Sequence, residues 1–276
     1  MSQATANLAW AETLLASLAS LGLREVIASP GGRSTPLVLA AHRHPQLTLR
    51  IVTDERVAAF TALGIARGSA RPVALVATSG SAGGHWLPAL VEARASQIGL
   101  LALTANRPHE LLGCGAPQAV PQRHFFTDQV GLARAIPAPS SQPSQAELRS
   151  LETLALAAWR VASGEDALPV HLDLAFRAPL WAPPGAKSET PLPGPAPVRR
   201  APPRLLSGTR RLTRAAVSAL ARELSAVERG VIFCGPDAGG ASPAAAAAFA
   251  PVVRELARAL GWPLICDAAS GLRSPG

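Results

Sequence analysis

Four short clusters of small and charged residues interrupt apolar runs of this chain, and they are where chemistry can sit. They are SPGGRSTP (29–36), TDER (53–56), ATSGSAGG (77–84) and TANRP (104–108). Between them they hold Arg33, Arg107, the carboxylate of Glu55 and several glycines. A guanidinium pairs bidentately with a carboxylate. A glycine-rich turn that opens a helix offers backbone N–H groups to an anion. The set therefore looks built for an anionic small molecule. Each member also has a plainer reading. Glu55 is either a catalytic carboxylate or a solvated acid in a first helical turn, where it suits the helix dipole. Arg33 and Arg107 are either anion ligands or turn arginines, and Pro108 fixes the turn after Arg107. Asp54 suits a helix N-cap, with Arg56 as a partner for either carboxylate. Gln118, in CGAPQAV, lies in an irregular segment near the same edge.

Other polar residues point to less. Ser79 and Ser81 are not in a GxSxG elbow, so TSGSAGG reads as a small-residue turn that lets a ligand approach the backbone. His85, His109 and His124 show no metal-ligand spacing and read as surface or supporting residues. Cys114, Cys234 and Cys266 form no CxxC pair, and inert thiols are expected.

These clusters need elements to hold them. The runs REVIA, TLRIV, PVALV and IGLLAL precede the four clusters and read as buried parallel strands. Periodicity predicts helices over 8–22, 35–43, 55–67, 82–94 and 145–163, with strands over 25–29, 48–53, 72–78, 98–104 and 169–175. Residues 107–145 read as irregular. In an open α/β sheet, ligands bind outside the carboxyl ends of the strands, so all four clusters would share one edge. The fold class expected is α/β, a doubly wound parallel sheet over 1–180. A proline-crowded linker is expected over 181–204. The start of a second, incomplete α/β domain is expected over 205–276, with helices over 213–226 and 243–260 and strands over 231–235 and 262–267. Its loop GPDAGGASP (235–243) is not a GxGxxG and reads as a plain βα turn.

Bulk properties narrow the class. The chain has 276 residues and a net charge of +8. Nucleic acid is not expected as a partner, because no basic run interleaves with aromatics. Lys187 is the only lysine and tyrosine is absent, so arginine stands in for lysine throughout. No apolar run can span a bilayer and the start lacks a signal-peptide pattern, so a cytoplasmic protein away from membranes is expected.

Taken together, SPGGRSTPL, TDER, VATSGSAGG, LPALVEA, LTANRP and CGAPQAV resemble the thiamine-diphosphate-dependent enzymes, most of all their menaquinone-pathway carboligases. The match is good over the first 180 residues and weaker to GWPLICDAASGLR. The resemblance implies a pyrimidine-binding domain in 1–180. It implies that the Glu55 carboxyl bonds the cofactor's aminopyrimidine and favours the imino tautomer, which takes the proton from the thiazolium carbon. It gives Pro30, Gly31, Thr78 and Gly80 to the cofactor, and Arg33, Gly32, Arg107 and Gln118 to the substrates. Those would be 2-oxoglutarate, which loses carbon dioxide, and isochorismate, to which the resulting carbanion adds. Magnesium would accompany the diphosphate, and subunits of a homodimer or homotetramer would share active sites.

The sequence departs from the family at Gly32, where a serine is usual, at His85, and in having no GDG motif for the diphosphate and magnesium. The expectation is therefore an amino-terminal piece, inactive alone, with no metal site of its own. Two other readings stay open: another 2-oxoacid carboligase or decarboxylase, and a non-catalytic domain acting as a partner.

Overall fold

The computed structural model describes residues 2–163, 166–181, 211–236, 238 and 243–273. Apart from Trp181, the linker expected over 181–204 lies outside the described residues, as do 237 and 239–242 of the GPDAGGASP loop. The chain divides into two compact units, Met1–Pro203 and Arg204–Gly276.

The first unit runs α1 (Gln3–Leu21), β1 (Glu25–Ala28), α2 (Thr35–Arg43), β2 (Thr48–Ile51), α3 (Glu55–Ser69), β3 (Val73–Ala77), α4 (Leu87–Ala95), β4 (Leu100–Asn106), β5 (Leu132–Ile136), α5 (Gln145–Ser163) and β6 (Val170–Ala175). The six strands form one sheet in the order β2-β1-β3-β4-β6-β5. Every neighbouring pair is parallel. All strands therefore end on one edge, and the order reverses beside β1, between β2 and β3.

Alternation along the strands builds two cores. Val26, Ala74, Val76, Leu101, Leu103, Leu172 and Leu174 face α1, α2 and α5. Ile27, Leu75, Ala77, Leu100 and Ala102 face α3 and α4. The side-chain period of two puts successive residues of a strand on opposite faces. Both faces are covered, which is why β3, β4 and β6 are buried along their whole length.

Three elements differ from the sequence expectation. Helix α1 starts at Gln3 rather than residue 8, because the Ser2 hydroxyl accepts from the Thr5 amide and caps it. The helix expected over 82–94 is a 3-10 turn over Ala82–Trp86 followed by α4, with Gly83 and Gly84 in the turn and Pro88 in the first turn of α4. The stretch 107–145 is not all irregular, since β5 lies within it. That strand pairs only with β6 and is partly exposed, so its pattern lacks the apolar run of a central strand.

In the second unit, α6 (Arg214–Ser225), β7 (Ile232–Cys234), α7 (Pro243–Leu260) and β8 (Leu264–Cys266) follow in order. Strands β7 and β8 pair in parallel, and Cys234, Val253 and Leu272 form a small buried cluster. Helix α6 buries none of its residues.

Candidate active site at the carboxyl edge of the sheet

The loop after β1 carries Pro30, Gly31, Gly32 and Arg33 into α2. Gly31 lies so close to the loop after β3 that a Cβ there would sit 2.3 Å from the Thr78 Cβ. Only glycine allows this approach, and it closes the edge between β1 and β3. The Ser34 hydroxyl donates to the Gly31 carbonyl at 3.0 Å and fixes the turn. Pro30 and Gly32 are exposed, so the Gly32 backbone is open to solvent.

Arg33 reaches across the edge. Its Nη1 donates to the Phe176 carbonyl, just past β6, at 2.7 Å. Its Nε is buried without a hydrogen-bond partner among the described residues. Burial, and then the nearby charge of Arg107, hold its pKa below the ordinary arginine value. Two like charges thus stand close together with a donor unused, an arrangement that an anion stabilises.

Arg107 begins the loop after β4. Its guanidinium contacts the Ser79 hydroxyl through Nη1 and the Gln118 Oε1 through Nη2, the latter at 3.3 Å. Gly80 (φ 92°) and Gln118 (φ 56°) both have left-handed backbone and pack together, leaving only 3.1 Å between a Cβ at Gly80 and the Gln118 Cβ. Arg33, Arg107, Ser79, Gly80 and Gln118 therefore belong to one neighbourhood.

Glu55 is the first residue of α3, after the end of β2. Asp54 caps the helix, its carboxylate accepting from the Arg56 and Val57 amides. Arg56 pairs with Asp54 at 2.7 Å, which leaves the Glu55 carboxylate, half-buried, free of that partner. The same bonds hold the Asp54 pKa well below the carboxylate range. His85, His109 and His124 are exposed, and His109 pairs with Glu110. Among the described residues no group of three or more His, Cys, Asp or Glu could hold a metal ion.

Sequence reasoning missed the polar cluster behind this edge. Asp173 on β6, 4% exposed, accepts from Thr104 Oγ1, Gln122 Nε2 and Asn106 Nδ2 at 2.8, 2.8 and 2.7 Å. His171 Nε2 meets the Thr104 hydroxyl at 2.8 Å, and its ring stands edge-on to Phe126. Burial raises the Asp173 pKa and lowers that of His171 to about 4. A signal existed: His171 and Asp173 alternate within an apolar strand, and so do Thr104 and Asn106 on β4. Two polar pairs at period two share the sheet face that packs on α3 and α4. Nearby, Arg177 donates to Glu110 with two nitrogens, at 2.5 and 3.1 Å, tying the loop after β4 to the segment after β6. That fork holds the Glu110 pKa down at about 2.

Residues 9–132 match the family described as thiamine pyrophosphate enzyme, N-terminal TPP binding domain. Full-length relatives agree. The chain is 41% identical over 278 residues to the 2-succinyl-5-enolpyruvyl-6-hydroxy-3-cyclohexene-1-carboxylate synthase of Roseiflexus castenholzii, a match covering 97% of this chain and 46% of that protein. It is 43% identical to the Geobacillus kaustophilus synthase of the same name, over 96% of this chain and 44% of that protein. To the Haloarcula marismortui synthase it is 38% identical, over 99% of this chain and 46% of the other. The chain spans about half the length of the curated relatives it matches. The fold, the loops on its carboxyl edge and these matches agree: residues 9–132 form a thiamine pyrophosphate enzyme N-terminal domain, and nearly the whole chain is similar to part of these synthases.

Proposed function

We propose that this chain is the amino-terminal part of a thiamine-diphosphate-dependent synthase of menaquinone biosynthesis. The synthase decarboxylates 2-oxoglutarate and joins the remaining carbon unit to isochorismate. The observation that carries this reading is the buried Arg33 Nε, unpartnered among the described residues and beside Arg107, on the sheet edge that also carries Glu55. The names of the relatives supply the product, and the resemblance of the loops supplies the substrates.

The residues suit the pyrimidine half of the cofactor. Glu55 would share a proton with a pyrimidine ring nitrogen through a carboxylate oxygen. Pro30, Gly31, Thr78 and Gly80 would shape the cleft, where a side chain at Gly31 or Gly80 would crowd Thr78 or Gln118. When bound, the cofactor supplies the electron sink for loss of carbon dioxide and for the carbon–carbon bond that follows. Arg33, Arg107 and Gln118, with the open backbone of Gly32, would hold substrate carboxylates. Magnesium and the diphosphate would be held by residues other than those described.

A homodimer or homotetramer is the assembly we propose. Val57 and Phe60 on α3 are 56% and 50% exposed, and Leu87 and Val91 on α4 are 40% and 44% exposed. Spacings of three and four set each pair on one helix face. Exposed apolar side chains of this kind suit a second subunit. The setting proposed is cytoplasmic, without nucleic acid or membrane as partners; no helix among the described residues is long and apolar enough to cross a membrane.

The test pairs this chain with the carboxy-terminal half of the Geobacillus kaustophilus synthase and supplies thiamine diphosphate, magnesium, isochorismate and either 2-oxoglutarate or pyruvate. Product from 2-oxoglutarate is expected. Consumption of pyruvate instead would make it another carboligase or decarboxylase. An assembled but inert complex would favour the non-catalytic partner.

A further inference from the structure

In the cluster behind the sheet edge, the two side-chain amides, Gln122 and Asn106, each have only one orientation that satisfies their neighbours. The Gly80 amide can only donate, and it points at the Gln122 Oε1 at 2.6 Å. The Gln122 Nε2 must then face its other neighbours, the Ala105 carbonyl at 3.1 Å and Asp173 Oδ1 at 2.8 Å. The Arg107 amide likewise donates to Asn106 Oδ1 at 2.7 Å, so Asn106 Nδ2 faces Asp173 Oδ2, also at 2.7 Å. The Thr104 hydroxyl donates to Asp173 Oδ1 as well. All three side chains around Asp173 therefore present hydrogens. Position 173 must accept on both arms, which an ionised carboxylate does and an amide cannot. An apolar side chain would leave the buried N–H groups that Asn106 and Gln122 aim at Asp173 without an acceptor.

The two arms end on the two halves of one contact. Through Asn106, Asp173 holds the backbone of Arg107. Through Gln122, it holds Gly80, next to the Ser79 hydroxyl that the Arg107 guanidinium touches. We propose that Asp173 is the positioning residue for Arg107: each carboxylate oxygen fixes one side of the Arg107–Ser79 contact, and so sets where that guanidinium meets the substrate anion. Asp173 itself touches no substrate. The part that concerns substrate rests on the function proposed above; the positioning itself does not.

The geometry dictates what Asp173→Asn does. If the new amide nitrogen faces Asn106, Asn106 must turn its oxygen toward it and leave the Arg107 amide without an acceptor. If it faces Gln122, the Gly80 amide loses its acceptor in the same way. A second change, Asn106→Asp, cures the first fault: a carboxylate at 106 accepts from both the Arg107 amide and the amide at 173. The double variant thus keeps one carboxylate and one amide, exchanged between β4 and β6.

The experiment measures backbone amide hydrogen exchange, resolved by residue, in the 276-residue chain as wild type, D173N and N106D/D173N. Exchange at Arg107 or Gly80 should quicken about tenfold or more in D173N and return toward wild type in the double variant. Unchanged protection at both amides in D173N, or no recovery in the double variant, overturns the proposal. Should D173N not fold, the double variant decides alone: a native melt with wild-type protection supports the proposal, and an unfolded chain overturns it. In the complex with the carboxy-terminal half of the Geobacillus kaustophilus synthase, D173N should raise the KM for 2-oxoglutarate or isochorismate about tenfold, with kcat little changed. Exchange that responds while KM stays put leaves the positioning standing and removes Arg107 from substrate binding.

Discussion

At the scale of single residues, the division of labour between Glu55 and Asp54 decides what the TDER turn can do. Asp54 caps α3 and pairs with Arg56, so Glu55 is spared a structural task. In the assembled synthase, Glu55→Gln should lower kcat by about 10²–10⁴-fold, the usual range for a lost general acid–base group. Cofactor affinity should change little, as a titration monitored by fluorescence would report. A loss below about tenfold at saturating cofactor would leave Glu55 a first-turn acid. The task proposed for Arg33 and Arg107 is a different one, to hold substrate carboxylates. Replacing either by lysine keeps a charge but loses the planar fork. Arg107→Lys and Arg33→Lys should each lower kcat/KM by about 10–100-fold, as loss of a charged hydrogen bond of roughly 1.5–3 kcal/mol would do. An unaltered thermal melt beside the kinetics would separate binding from folding.

At the scale of elements, two features carry the edge. The first is the contact of the loops after β1 and β3. Gly31→Ala forces a methyl group against the Thr78 side chain. Overpacking of this kind costs about 1–3 kcal/mol, so the chain should unfold at lower denaturant concentration. If Thr78→Ser in the same chain recovers part of the loss, the collision is the cause. The second is the polar pairing of β4 and β6. His171 has its pKa lowered by burial, from 6.5 to about 4. Between those values the unfolded chain binds a proton that the folded chain refuses. Stability is therefore full above about pH 6.5 and falls as the pH drops toward 4, by about 3 kcal/mol. Asp173, its pKa raised by burial, takes its proton before the unfolded chain does and offsets part of the loss at the acid end. Denaturation curves across this window should flatten in His171→Gln, because glutamine does not titrate. An identical pH profile in the variant would assign the acid sensitivity to another group, such as the partly buried His44, whose pKa is lowered as well.

At the scale of the whole molecule, α3, the helix that begins at Glu55, and α4 both carry exposed apolar side chains. Leaving Val57, Phe60, Leu87 and Val91 in water is costly, and a second subunit that covered Val57 and Phe60 would pack on the helix that Glu55 begins. Phe60→Glu should shift the assembled synthase toward smaller species in sedimentation velocity at micromolar concentration and lower its activity in parallel. Unchanged sedimentation would place the subunit contact elsewhere.

The sequence by itself determined the strands that end at the four clusters, the parallel sheet and the gathering of Arg33, Glu55 and Arg107 on one edge. Apolar runs, helical periodicity and turn residues are local signals, and parallel topology then leaves few choices. Strand β5 escaped because a partly exposed strand at the sheet border lacks a continuous apolar run. Polar alternation on β4 and β6 was the one sequence signal of the cluster of Thr104, Asn106, Gln122, His171 and Asp173, and it does not say which of them touch. The cluster's bonds join residues 67 and 51 positions apart: the register of β4 on β6 sets Asn106 and Thr104 against Asp173, and the short turn over Gln122–His124 brings in Gln122. Tertiary structure also chose Asp54 over Glu55 as the partner of Arg56, and set Ser79 against Arg107. Spacing along a chain says which residues can reach an edge. Strand register and the close approach of loops decide which of them touch, because hydrogen bonds form only at about 3 Å.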